Sequence, residues 1–139
     1  MANELTLCII KPDAVEKRKQ GAILQRLLDE KFEVVAVRQA RLTREQAEGF
    51  YAVHRGKPFY DELVRFMTRG PVMLIALRAE NAVQRYRDVI GATDPAKAAE
   101  GTIRKLYGTD VGENAVHGSD SAENGRIECA WFFPGHELA

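Results

Sequence analysis

The stretch Asn114-Ala115-Val116-His117-Gly118-Ser119-Asp120 sets one imidazole between an amide side chain and a hydroxyl/carboxylate pair. A neutral imidazole is a competent nucleophile near pH 7, because it titrates close to that pH. The adjacent Gly118 lets another group approach closely. Of the three His in the chain, only His117 sits in so polar and turn-forming a setting. It is a candidate catalytic nucleophile. Read alone, however, Gly-Ser-Asp is also an ordinary turn and helix start, and a His beside it is an ordinary solvated loop residue.

Phosphate chemistry needs cations and oriented donors more than it needs acid–base pairs. The chain offers Lys11 at the end of its first apolar run, Arg87, Thr93 and Arg104. Each taken singly reads as a solvated surface group. Lys11 says more, because open-sheet proteins place binding residues just past a buried strand. Tyr51 and Phe59 bracket the break Gly56-Lys57-Pro58. Either ring serves as packing in a helix hairpin, and Phe59 also suits stacking on a base. Glu128 lies between Ile127 and Cys129, in what reads as a last strand. A carboxylate among apolar residues needs a partner, and the imidazole of His117 is one. An outward-facing charge on an alternating strand is the other reading. Asp13, Asp120 and Glu123 form no recognisable metal cluster, so a divalent ion is expected to arrive bound to phosphates.

These residues need elements to position them. Leu5-Thr6-Leu7-Cys8-Ile9-Ile10 reads as a buried strand stopped by a turn at Lys11-Pro12-Asp13. Ile23, Leu24, Leu27 and Leu28 recur at helical spacing, and Val34–Val37 opens a second strand. Thr43 with Gln46 makes a capping box before a helix carrying Ala47, Phe50, Tyr51 and His54. A short helix with Phe59, Leu63, Phe66 and Met67 follows, then a buried strand over Val72–Leu77. Ala82, Val83, Tyr86, Val89 and Ile90 give another helix, ended by Gly91. Residues 92–114 look long and partly irregular. Asp120-Ser121-Ala122-Glu123 reads as a helix start, and Ile127–Phe133 as the final strand. The order fits an α+β fold, a ferredoxin-like split βαβ sandwich with a four-stranded antiparallel sheet. Helices are expected on one face of the sheet, leaving the other for a partner subunit.

Length and charge narrow the function. The 139 residues suit a single domain over 1–139, and 45% apolar residues supply a core. Lys+Arg and Asp+Glu number 20 each, so the formal net charge is zero. That balance argues against a protein built to coat nucleic acid or an anionic membrane, and it fits self-association. Cys8 and Cys129 both lie in apolar runs and read as buried thiols. No zinc-ligand spacing is present. No secretory leader pattern opens the chain, and no apolar run reaches the ~18 residues of a membrane span. A cytoplasmic protein is the expectation.

Taken in order, Ile9-Ile10-Lys11-Pro12-Asp13-Ala14, Gly91-Ala92-Thr93, Gly101-Thr102-Ile103-Arg104 and Asn114-x-x-His117-Gly118-Ser119-Asp120 resemble nucleoside diphosphate kinase. The resemblance runs from about Leu5 to Phe133, and N-x-x-H-G-S-D is its most specific motif. It implies reversible transfer of the γ-phosphate of a nucleoside triphosphate to a nucleoside diphosphate, through a phosphohistidine and with ping-pong kinetics. It makes His117 the nucleophile through Nδ1, with Glu128 holding the other ring nitrogen and Lys11 assisting. It implies phosphate contacts from Lys11, Arg87, Thr93 and Arg104 with Tyr51 close by, a base stack on Phe59 and a ribose contact from Asn114. Ser119 would support the carboxylate, and Asp120 would reach a magnesium ion only through water. Magnesium, broad tolerance of bases, and a homotetramer or homohexamer are the further implications. Leu106 and Glu100 depart from residues common in the family, an acidic residue and a proline respectively. Both fall in a loop tied to assembly. A non-catalytic nucleotide sensor of the same fold and a nucleic-acid-associated oligomer are the competing readings.

Overall fold

The computed structural model describes residues 3–139. Four strands carry the fold: β1 (Asn3–Ile10), β2 (Glu33–Ala40), β3 (Val72–Glu80) and β4 (Val116–His117). They form one antiparallel sheet in the order β2-β3-β1-β4. Seven α-helices accompany them: α1 (Pro12–Glu16), α2 (Gln20–Asp29), α3 (Arg44–Phe50), α4 (Tyr60–Met67), α5 (Ala82–Ile90), α6 (Ile103–Tyr107) and α7 (Ala122–Phe132). The result is the expected α+β, ferredoxin-like split βαβ arrangement.

Both faces of the sheet are covered, which corrects the expectation of one free face. The cause is legible in β1. Successive strand residues point to opposite faces. Cys8 and Ile10 join Ile23 and Leu27 of α2 and Tyr86 and Ile90 of α5. Leu7 and Ile9 join Ala47 of α3, Val64 and Met67 of α4 and Cys129 of α7 on the other side. The run Leu7–Ile10 is apolar on four successive residues, so it must be buried on both faces, unlike an alternating strand with one wet face. Each fully buried Leu or Ile contributes about 1.5–3 kcal/mol over its exposed state.

Further corrections concern local structure. Ile127–Phe133 is not a strand; α7 runs through it to Phe132. The start was readable, since Ser121 caps the helix by accepting from the Asn124 N–H at 3.0 Å. A short apolar run does not declare its own period, and here the helix simply continues. Gly125 lets α7 lie on β1, because a Cβ there would meet the Leu5 carbonyl oxygen at 2.0 Å. The last strand is instead the two-residue β4, inside the His117 motif itself. Residues 92–114 hold more order than expected, with a 3₁₀ turn at Pro95–Lys97 and α6. Lys11-Pro12-Asp13 does end β1, but Pro12 then opens α1 rather than a simple turn.

Elsewhere the elements follow their signals. The capping box at the start of α3 is complete, with Thr43 and Gln46 exchanging both bonds. Cys8 and Cys129 are free and buried.

Candidate active site

β1 ends at Ile10, and β4 pairs beside it with Ile9 opposite His117. Lys11, the next residue, therefore emerges beside the imidazole. The two line a cleft of about 1200 Å³ together with Tyr51, Phe59, Arg87, Thr93, Arg104 and Asn114. Eight candidates scattered over most of the chain thus share one wall.

Behind the cleft, His117 is held from several sides. Its Nε2 lies 2.8 Å from Glu128 Oε1. The same carboxylate oxygen accepts from the Ser119 hydroxyl at 2.7 Å. Ser119 Oγ in turn accepts from the Leu7 N–H of β1 at 3.1 Å. A carboxylate at Nε2 keeps the proton of the neutral ring there and leaves the lone pair on Nδ1. The Tyr86 hydroxyl donates to the His117 carbonyl at 2.8 Å, and Phe50 packs its edge against the imidazole at 5.4 Å. Gly118 has the purpose its size suggests. A Cβ there would meet the Tyr86 ring at 2.7 Å.

The cationic wall is built from buried backbone. Arg104 donates to the Gly91 carbonyl at 3.0 Å and to the Val116 carbonyl at 2.9 Å. Its Nε is buried without a hydrogen-bond partner among the described residues. Lys11 Nζ donates to Asn114 Oδ1 at 2.9 Å, and Asn114 Nδ2 donates to the Thr93 carbonyl at 3.0 Å. Burial pushes the Lys11 ammonium down to about 8, with the positive charge of Arg104 adding to it. A cation so poorly compensated gains from an incoming polyanion. Burial, then the charge of Glu128, holds the Tyr51 phenol well above its ordinary range, and its hydroxyl has no hydrogen-bond partner among the described residues.

The peptide ahead of the imidazole is strained. Ala115 has φ 75, a left-handed conformation that an L-residue adopts at a cost of about 1–3 kcal/mol. Asp120 stands apart. It is exposed and does not line the cleft, and its Oδ1 accepts from Asn124 Nδ2 at 2.6 Å. Among the described residues, no three His, Cys, Asp or Glu side chains gather around a point where an ion could sit.

Residues 4–138 match the sequence model of the family described as nucleoside diphosphate kinase. The chain belongs to the nucleoside diphosphate kinase family. A nucleoside diphosphate kinase of Sorangium cellulosum is 62% identical over 139 residues, covering 100% of this chain and 96% of that one. One from an Anaeromyxobacter strain is 56% identical, over 96% of this chain and 91% of the relative. The solved structure of the Aquifex aeolicus nucleoside diphosphate kinase superposes with a TM-score of 0.95 at 46% identity, covering 99% of this chain and 100% of that one. A halophilic nucleoside diphosphate kinase from Halobacterium salinarum, solved in complex with CDP, reaches 0.94 at 39% identity, over 99% of this chain and 92% of that one.

In this nucleoside diphosphate kinase family member the cleft also holds residues that sequence reasoning passed over. His54 lines it, stacked 6.3 Å from Tyr51 and tilted 5.2 Å from Phe59. Its Nδ1 is buried with no hydrogen-bond partner among the described residues. On the sequence His54 is one more member of an apolar helical stripe, and only the 3₁₀ turn over Ala52–His54 brings it to the cleft. Val111 and Phe59 are the exposed apolar residues of the wall, at 56% and 47%. Arg69 bridges Glu16 of α1 at 2.8 Å and Glu113 of the loop before Asn114 at 3.3 Å. Nothing in the sequence marks that three-charge contact, because its members lie in three separate segments.

Proposed function

We infer that this chain is a phosphotransferase that moves the γ-phosphate of a nucleoside triphosphate to a nucleoside diphosphate, with His117 as the carrier. The observation supporting that role is the fixed ring: Nε2 is tied to Glu128, which leaves Nδ1 as the nitrogen to attack. In the first half-reaction the Nδ1 lone pair forms a bond to the γ-phosphorus, and the bond to the β,γ-bridging oxygen breaks. The nucleoside diphosphate leaves with that electron pair. In the second, a terminal oxygen of another diphosphate attacks the phosphohistidine, and the P–N bond returns its pair to Nδ1. No net proton transfer is required, so the protein's task is positioning and charge.

Glu128 stabilises the positive charge that develops on the ring, and Ser119 holds Glu128. Lys11, Arg87 and Arg104 neutralise the transferring group, and Thr93 and Tyr51 adjoin it. Phe59 stacks on the base and Asn114 contacts the ribose. Neither reads a base edge, so base tolerance is broad.

We further propose magnesium as the divalent cation. The wall is cationic, and Glu113 is already tied to Arg69, so the ion fits as a passenger on the phosphates rather than as a protein-held metal. When bound, it supplies neutralising charge to the polyphosphate. Asp120 would need an intervening water or a shift away from Asn124. Removing the ion with a chelator should stop transfer, and magnesium should restore it.

We propose that the whole chain is one domain and that it self-associates, as a homotetramer or homohexamer. In support, β2 is a sheet edge, and Val37, Ile127 and Trp131 are large exposed apolar residues. Light scattering measures the assembly. No helix among the described residues is long and apolar enough to cross a membrane. A cytoplasmic location is our proposal, to be checked by fractionation.

Brief incubation with γ-labelled ATP tests the central reading. We expect an acid-labile, base-stable label on His117 that chases onto added diphosphate. Label on another residue, or none, defeats it. A sensor without catalysis would bind nucleotide and stay unlabelled.

A further inference from the structure

The segment Asn114–His117 is held in a strained shape by two groups, the backbone N–H of Lys11 and the side chain of Asp13. Ala115 is fully buried at φ 75. The Val116 N–H donates to the Asn114 carbonyl at 2.9 Å, which closes a γ-turn around Ala115. Non-glycine residues leave that conformation unless their surroundings over-determine it.

Here both polar groups of Ala115 are tethered to the segment that leaves β1 and enters α1. The Lys11 N–H donates to the Ala115 carbonyl at 2.8 Å. The Ala115 N–H donates to Asp13 Oδ2 at 3.1 Å. Asp13 is itself 2% exposed, and its second oxygen is buried with no hydrogen-bond partner among the described residues. A buried carboxylate is costly to keep. Besides the N–H of its neighbour Ala14, its backbone donor is the strained residue, more than a hundred positions away, and it lies two residues from Lys11 and is absent from the cleft wall.

We propose that Asp13 is a positioning residue for phosphoryl transfer: its carboxylate holds Ala115 in the left-handed γ-turn that presents Asn114 on one side and His117 on the other to the cleft. Without the tether, Ala115 relaxes to negative φ, and the residues flanking it turn away from their partners. The inference rests on His117 being the phosphorylated residue.

The strain supplies its own test. Glycine adopts positive φ without penalty, so a turn with glycine at 115 needs no carboxylate to hold it. The measurement is the single-turnover rate of His117 phosphorylation at saturating magnesium ATP, by rapid quench, with thermal melting alongside. Misplacing a reacting atom by about 1 Å costs on the order of a hundredfold in rate. We expect D13A to slow phosphorylation by roughly tenfold to a hundredfold on that scale. D13N should stay close to the parent rate, because its amide oxygen still accepts from Ala115. The double variant D13A/A115G should recover most of the loss, which a merely structural defect would not do. If D13A alone does not fold, the double variant carries the test, since it should fold and phosphorylate. A D13A protein at the parent rate, or a double variant no faster than D13A or unfolded, overturns the proposal. If the parent protein itself takes up no label on His117, the failure belongs to the phosphohistidine reading instead.

Discussion

The imidazole of His117 and the carboxylate of Glu128 meet at 2.8 Å across a change of element, one from β4 and the other from the middle of α7. Because Ser119 donates to the same oxygen, Glu128 cannot rotate away without losing a second bond. The ring is therefore oriented before any nucleotide arrives. H117A should abolish transfer and leave nucleotide binding largely intact. E128Q should slow phosphorylation by roughly tenfold to a hundredfold, in line with one charge-assisted hydrogen bond of about 1.5–3 kcal/mol. Its KM should change little. Rapid-quench phosphorylation and equilibrium binding, measured on each variant, separate the two effects.

Lys11 makes nucleotide affinity depend on pH. Its ammonium titrates at about 8 because burial disfavours the charged form. Below that pH the free protein carries the cation; above it the cation is lost. A bound polyphosphate favours the charged form, so binding takes up protons as the pH passes 8. Affinity should be flat below about 8 and fall above it, and K11M should lose that dependence. Calorimetry in buffers of different ionisation enthalpy reads the proton uptake. A flat profile in the parent protein excludes the assignment.

Phe59 is 47% exposed with its ring in the cleft, a poor place for a phenyl group that only packs. F59A should weaken binding of every nucleoside diphosphate by about 1–3 kcal/mol, roughly one to two decades in Kd, and spare the melting temperature. Unchanged affinity with a lowered melting temperature would make the ring a packing element.

Arg69 holds α1 against the loop that carries Val111 and Glu113 through its contacts with Glu16 and Glu113. All three side chains are at least 40% exposed, so water and salt screen the contact. Exposed pairs contribute about 0–1 kcal/mol, and R69A should raise KM by no more than roughly fivefold at low salt. The difference between R69A and the parent should vanish near ~1 M salt, where the Debye length is about 3 Å. Steady-state kinetics across a salt series checks this.

Much was legible along the chain because it is local or periodic. The continuous apolar runs of β1 and β3 announce buried strands, and the Thr43–Gln46 box announces α3. The motif around His117 and the cations Lys11, Arg87 and Arg104 could be named without coordinates. Ile127–Phe133 was misread because helix and strand periods are not distinguishable over so short an apolar run. Helices on both sheet faces were missed, although the unbroken apolar run Leu7–Ile10 had already implied them.

What the amino-acid sequence determined by itself is the set of reacting groups and most of the surrounding elements, though not the helix that carries Glu128 or the short strand that carries His117, because spacing, caps and hydrophobic period act over a few residues. What only the tertiary structure decided is which distant groups touch. Asp13 reaches Ala115, Ser119 accepts from Leu7, and Arg69 joins two carboxylates only after β1 pairs with β4 and α7 settles on β1. Those contacts span tens to more than a hundred residues, and chain packing, not local preference, closes such distances.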